Sequence, residues 1–261
     1  MVLDTRIDAG IATLTLNRPE SLNALNLELI AARRDATARV AGDASVRAVV
    51  LRGAGEHFMA GGDLRWFRDQ LHLPASERRL LFERVIGDVQ ASILQLRRMD
   101  KPVLASVRGA AAGFGLSLVL ACDLAIAADN AYFTLAYRHI GLSPDGGASF
   151  MLPRSVGQKK AAEIAFLGER FDAASAAGMG LINRVVPAAE LDAETDKLAH
   201  RLASGPRTAI ARTKALLEAS LQNSLAEQLV AEQRAFAESA SLPDFDEGLA
   251  AFFDKRGACF P

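Results

Sequence analysis

Three stretches of the chain hold residue types that could do chemistry. Ala60-Gly61-Gly62-Asp63 follows an apolar run and carries little side-chain bulk. Gly113-Phe114-Gly115 follows a second apolar run and opens a third, Leu116–Ala121. Such loops expose backbone N–H groups, and the start of a helix adds partial positive charge. Two N–H groups that converge make an oxyanion hole, which stabilises charge developing on a carbonyl oxygen. The same glycines also serve simple tight turns. Neither loop matches GxGxxG or GxxxxGK[ST], which argues against a phosphate loop. The third stretch, Ser143-Pro144-Asp145-Gly146-Gly147, holds one acid. By pattern Asp145 reads as the N-cap of a helix starting near Ala148 or as an acid–base group.

The elements that must position these loops alternate between short strands and helices. A hairpin spans residues 5–17, turning at Ala9-Gly10 and ending at Asn17-Arg18-Pro19. Asn26 to Val40 is predicted helical, with Leu27, Ile30, Ala31 and Arg34 on one face. Val46–Arg52 reads as a buried strand and residues 76–99 as a long helix. Val103–Val107 is another strand, followed by a small-residue loop over Gly109–Gly115. Leu124–Ala127, Tyr132–Leu135 and Leu181–Val186 are further strands, and residues 159–167 are helical. From Ala188 only helical patterns remain, broken at Gly205-Pro206 and Leu242-Pro243. The expectation is an α/β core over residues 1–195 with a helical region over 196–261.

Composition narrows the function classes. The chain has 261 residues, is 50% hydrophobic and 23% charged, and has a formal net charge of −1. That balance fits a globular protein and gives no general attraction to nucleic acid or anionic membranes. Cys122 and Cys259 are too few for a disulfide framework, and no spacing suggests zinc. His57, His72, His139 and His200 are scattered, which argues against a metal site. MVLDTRIDAG lacks the features of a secretory signal. The most apolar stretch, Ala110 to Ala128, contains Asp123 and reads as buried interior rather than a membrane span. A cytoplasmic protein with no membrane or nucleic-acid partner is expected.

Longer runs carry a resemblance. NRPESLNAL (17–25), GAGEHFMAGGDL (53–64), KPVLASVRGAAAGFGLSLVLACDLAIA (101–127), FTLAYRHIGLSPDGGAS (133–149) and FFDKR (252–256) occur in this order and spacing. Together they resemble the crotonase superfamily, the enoyl-CoA hydratase/isomerase family, nearly end to end. The resemblance implies an α/β spiral of ββα units with a C-terminal helical trimerisation region, assembled as a homotrimer or dimer of trimers. It implies an acyl-CoA substrate, with coenzyme A arriving as part of that substrate and no separate cofactor or metal. Gly62 and Phe114 take the positions of the oxyanion-hole N–H donors. Ala60, Gly61, Asp63 and Leu64 would lie along the adenine, and Leu22 and Ala24 along the coenzyme arm. Trp66 falls in the variable acyl-lining segment. Phe252 and Lys255 stand where the family's tail offers an aromatic and a base to the coenzyme, often across a subunit boundary. An ordinary amphipathic helix end is the plainer reading of that pair.

Departures from the family pattern bear on the reaction. The positions of the two hydratase glutamates hold Ser117 and Tyr137. Neither titrates near neutral pH, so neither replaces an acid–base carboxylate. Asp145 matches the aspartate in the PDxGG loop of the epoxyphenylacetyl-CoA isomerase type, which also lacks both glutamates. An isomerase that moves a double bond or ring through an enolate needs only one base. Ser117 reads as a packed residue or a proton partner, and Tyr137 as a buried ring or a hydrogen-bond partner of the base. Asp63 could instead cap the next segment. The alternatives are a hydratase, a dehalogenase- or hydrolase-type relative, or a silent scaffold binding CoA or RNA.

Overall fold

The computed structural model describes residues 1–260. Strands β1 (Leu3–Asp8) and β2 (Ile11–Leu16) form the expected hairpin, with Ile7 opposite Ala12 and positive φ at Ala9 and Gly10. Helix α1 (Leu27–Gly42) begins where the Asn26 side chain accepts the Leu29 N–H at 2.9 Å. Its buried stripe is Leu29, Ile30, Arg33, Ala36, Thr37 and Val40. The face expected from Leu27, Ile30, Ala31 and Arg34 is therefore rotated. Leu27 is 48% exposed, and Arg34 pairs with Asp35 and Asp88 near the surface. The i, i+4, i+7 stripe through 29, 33 and 36 runs across a charged residue, which conceals it from a hydropathy reading.

The chain continues through β3 (Ala48–Gly53), α2 (Leu64–Asp69), α3 (Ala75–Arg98), β4 (Val103–Val107), β5 (Ala110–Ala112) and α4 (Phe114–Ala121). Strand β5 lies inside the stretch expected to be a loop. Its three alanines carry no strand propensity, but its backbone is paired on both sides. Ala112 N–H reaches Met59 O at 2.9 Å, and β5 runs parallel to β7 (Tyr132–Thr134). Then follow β6 (Leu124–Ala128), α5 (Ala148–Val156), α6 (Gln158–Leu167), β8 (Phe171–Asp172), α7 (Ala173–Gly178) and β9 (Arg184–Val186). Helices α8 (Leu191–Ala203), α9 (Arg207–Ala219), α10 (Leu225–Ser239) and α11 (Pro243–Phe253) complete the described residues.

A six-stranded sheet has the order β1-β2-β3-β4-β6-β9, and only the β1–β2 pair is antiparallel. A three-stranded sheet has the order β5-β7-β8. Alternation sends Val49 and Leu51 into one core with α1, α3 and α4, and Ala48 and Val50 into another beneath α8. Both faces are covered, which suits parallel strands. The division expected at 195/196 lies inside α8, whose Leu191, Ala199 and Ala203 pack on the sheet.

Helix α9 is tied back to the core by Lys214, beside an Arg97–Glu218 ion pair and a bond from Arg207 Nη1 to Ala44 O at 2.9 Å. Lys214 Nζ reaches the carbonyls of Leu96 at 2.8 Å and Lys101 at 3.0 Å, and Asp123 Oδ2 at 2.7 Å. These bonds satisfy carbonyls near the end of α3. Among the described residues no helix is long and apolar enough to cross a membrane, and no group of three His, Cys, Asp or Glu could hold a metal ion.

Candidate active site

A cleft of about 470 Å³ opens between the two glycine loops, α3 and the segment 136–145. The first loop is stitched to the chain ahead of α1. Ala60 N–H reaches Leu22 O at 3.0 Å, and Leu25 N–H reaches Gly61 O at 2.7 Å. Asn23 holds that segment from beneath. It is fully buried, and its Nδ2 donates to His57 O at 2.7 Å and Ala54 O at 3.0 Å.

The two loops meet at glycines. Gly61 has φ +88°, and a Cβ there would lie 3.2 Å from Ala112 O and 3.7 Å from Phe114 N. A Cβ at Gly115 would stand 2.2 Å from Met59 O, so α4 can begin here only without a side chain. The Gly62 and Phe114 N–H groups have no backbone acceptor among the described residues, and both residues line the cleft. Phe114 stands at the first position of α4, where an N–H has no partner within its own helix.

Across the cleft, the Tyr137 hydroxyl donates to Asp145 Oδ1. Ser117 Oγ donates to the Asp145 carbonyl at 2.9 Å and lies 3.3 Å from the Tyr137 hydroxyl. Burial raises the Asp145 carboxyl above the ordinary aspartate range, against the Tyr137 hydrogen bond and the charge of Arg33. Burial and the neighbouring carboxylate push the Tyr137 hydroxyl up as well, so it remains a neutral donor. The N-cap reading of Asp145 does not hold. Gly147 occupies the cap of α5 with no side-chain bond, and Ala148 N–H takes the Asp145 carbonyl at 3.2 Å. The carboxylate is turned to Tyr137 instead.

Of the residues expected from sequence, Ala60, Gly61, Gly62, Leu64, Trp66, Phe114, Tyr137 and Asp145 line the cleft. Ser117 is fully buried behind Asp145. Leu22 and Ala24 lie in the segment bonded to the first loop but do not line the cleft. Asp63 caps α2, accepting from Arg65 N–H at 3.1 Å, and pairs with Arg18 at 3.1 Å. Phe252, 76% exposed, and Lys255 stand at the far end of α11 and do not line the cleft of their own chain. The sequence reading missed the α3 wall of Phe82, Val85, Ile86 and Val89. Their i, i+3, i+4, i+7 spacing was the available signal. It also missed Arg33.

The sequence profile of the family described as Enoyl-CoA hydratase/isomerase matches residues 6–261. The chain belongs to the enoyl-CoA hydratase/isomerase family. Within that family it is 40% identical over 251 residues to a Rhodobacter capsulatus protein named "probable enoyl-CoA hydratase", covering 96% of this chain and 94% of that one. It is 36% identical over 259 residues to the 1,2-epoxyphenylacetyl-CoA isomerase of Escherichia coli, covering 98% and 97%. The crystal structure of an enoyl-CoA hydratase from Polaromonas sp. JS666 superposes with a TM-score of 0.93 at 35% identity, covering 99% of each chain. The enoyl-CoA hydratase/isomerase fold expected from the sequence is thus the fold observed.

Proposed function

We propose that this family member catalyses a proton shift in an acyl-CoA thioester, with Asp145 as the single base. Asp145 takes the proton next to the thioester carbonyl. The electrons move onto the carbonyl oxygen, where the Gly62 and Phe114 N–H groups receive the developing charge. The Asp145 carboxyl then returns its proton at the γ carbon, which moves the double bond. With Oδ1 engaged by Tyr137, Oδ2 is the oxygen left to carry the proton.

One observation carries this reading. Asp145 is the only carboxylate among the described residues that line the cleft. The two hydratase glutamate positions hold Ser117 and Tyr137, and both are hydrogen-bonded to Asp145. Adding water across a double bond by the two-glutamate route needs a second carboxylate. The name of the Escherichia coli relative agrees with isomerase chemistry, and a ring-epoxidised phenylacetyl group is one acyl class that the aromatic wall of Trp66, Phe67 and Phe82 suits.

Coenzyme A would arrive as part of the substrate, along Ala60–Leu64 and the segment containing Leu22 and Ala24. The exposed apolar side chains of the tail, Leu225, Phe236 and Phe252 among them, support assembly as a homotrimer or dimer of trimers. In that assembly Phe252 and Lys255 would reach the coenzyme of a neighbouring copy.

The test is proton exchange in deuterated water with 2-enoyl, 3-enoyl and aromatic-ring CoA thioesters. Deuterium should enter next to the thioester carbonyl, and Asp145→Asn should slow entry by about 10²–10⁴. Crotonyl-CoA should be hydrated slowly or not at all. Rapid hydration by the pure protein would overturn the isomerase reading in favour of the hydratase that the Rhodobacter relative's name describes.

A further inference from the structure

Arg33 is a cation inside the core. It is 2% exposed, on the inner stripe of α1, one turn beyond the cleft-lining Ile30. Its Nη2 donates to Ser92 Oγ at 2.9 Å, whereas its Nη1 is buried with no hydrogen-bond partner among the described residues. Its Cζ lies 4.8 Å from the centroid of the Phe114 ring. The ring also meets the acid loop, because a Cβ on Gly146 would stand 2.6 Å from Phe114 Cε2. Phe114 thus contacts the Arg33 guanidinium and the residue next to Asp145 with one ring.

A buried guanidinium with one nitrogen unsatisfied and no carboxylate bonded to it carries a large desolvation penalty, and an apolar side chain of similar volume would avoid it. Burial lowers the Arg33 pKa to about 10, so the group stays charged at neutral pH. Ser92 on α3 bonds it, and the charges of Cys122, at the end of α4, and Asp145 are those that bear on it. The Cys122 thiol is pushed up to about 12 by burial and is neutral. On its other side Asp145 meets Tyr137, also neutral, and Ser117. Asp145 is therefore the group among these that can carry a negative charge.

We propose that Arg33 is a positioning residue of the active site, acting on Asp145 as a buried counter-charge and on the Phe114 peptide through its ring. The positive charge keeps the carboxylate ionised in a dry setting. The cation–π contact seats the ring and so fixes where the Phe114 N–H points. The proposal rests on Asp145 being the base.

Two substitutions remove the charge in different ways. Arg33→Gln keeps a polar head for Ser92, and Arg33→Met fills the volume with apolar atoms, so a folding failure of one leaves the other. Each folded variant is measured for α-proton exchange against pH, with an enoyl-CoA that the parent protein exchanges. The acid limb should move up by about one pH unit, since removal of an opposite charge has that direction and size. The infrared signal of the protonated Asp145 carboxyl, identified by its loss in Asp145→Asn, should move its midpoint the same way without substrate. A packing role alone changes the melting midpoint and leaves both profiles in place. Unchanged profiles in a folded variant would overturn the proposal. Exchange that survives in Asp145→Asn would remove the base reading, and the infrared midpoint would still decide whether Arg33 acts on Asp145.

Discussion

The Tyr137 hydroxyl donates its hydrogen bond to Oδ1 of Asp145, a residue eight positions along the chain and on the same cleft wall. A bond to the charged form favours ionisation, whereas burial opposes it. Burial is the larger influence on Asp145, and Tyr137 restrains it. The pair therefore suits a base that both takes up and gives back a proton.

Removing the hydroxyl should expose that balance. In Tyr137→Phe the Asp145 carboxyl loses the bond to its ionised form and its pKa rises further. A hydrogen bond to a charged group is worth about 1.5–3 kcal/mol, and 1.36 kcal/mol is one pKa unit. The acid limb of the rate profile should move up by about one to two units, with activity recovering at higher pH. A profile that falls equally at every pH would assign Tyr137 a different part in the reaction.

Asp145→Asn should stabilise the protein while disabling it. A carboxyl whose pKa is raised on folding binds its proton more tightly in the folded state. Stability is then lost as pH rises from the unfolded value through the folded one. Asparagine carries no such charge and can still accept from Tyr137. Its melting midpoint should exceed the parent's at neutral pH by a few degrees, since about 1 kcal/mol shifts a chain of this size by 2–4 °C. The gap should close below the ordinary aspartate range, about pH 4. Thermal melts from pH 3 to pH 8 would reveal a constant gap if the charge is not its source.

Gly113→Ala should damage the second loop. Gly113 has φ +53° and ψ −120°, a region that L side chains rarely adopt. The strain should cost about 1–3 kcal/mol. Any relaxation displaces the Phe114 N–H, and loss of one oxyanion donor lowers kcat by about 10²–10³. Calorimetry and steady-state rates test both effects. A variant with the parent's kcat would show that the loop adapts without moving the donor.

Lys214→Met should loosen the tail. The ammonium is 9% exposed and bonded to two carbonyls and Asp123. Removing one member of a buried pair costs about 3–5 kcal/mol. The melting midpoint should drop by about 10 °C. Asp123 keeps the Val103 N–H at 2.8 Å, and a drop of a degree or less would mean that this bond suffices.

The sequence carries the fold best where one physical signal dominates. The hairpin, the long α3 and the apolar β3 and β4 follow from periodicity alone. The alanines of β5 give no such signal, because pairing to Met59 and β7, not propensity, makes them a strand. The glycine loops and Asp145 were legible as site elements through the resemblance and the residues quoted for it. Whether Asp145 caps a helix was not, since Asp before Gly-Gly-Ala fits either use and only the turn toward Tyr137 decides. Arg33 was invisible for a simpler reason. Sequence reading assigns arginines to solvent, and this one is buried by tertiary packing between α1, α3 and α4.

The packing around Ser117 bears on how this chain could change its chemistry over evolutionary time. Ser117 has no solvent exposure, and a Cβ at Gly146 would come within 2.9 Å of the Ser117 Cβ. A glutamate at position 117 needs room for three more heavy atoms beside a loop with none to give. Its carboxylate would also face Asp145 at close range. Writing the two hydratase glutamates into positions 117 and 137 therefore breaks the seat of the acid loop before it makes a hydratase. On the proposed single-base reading, a change to the two-glutamate route has to remake the turn at Gly146 before it can place the acids themselves.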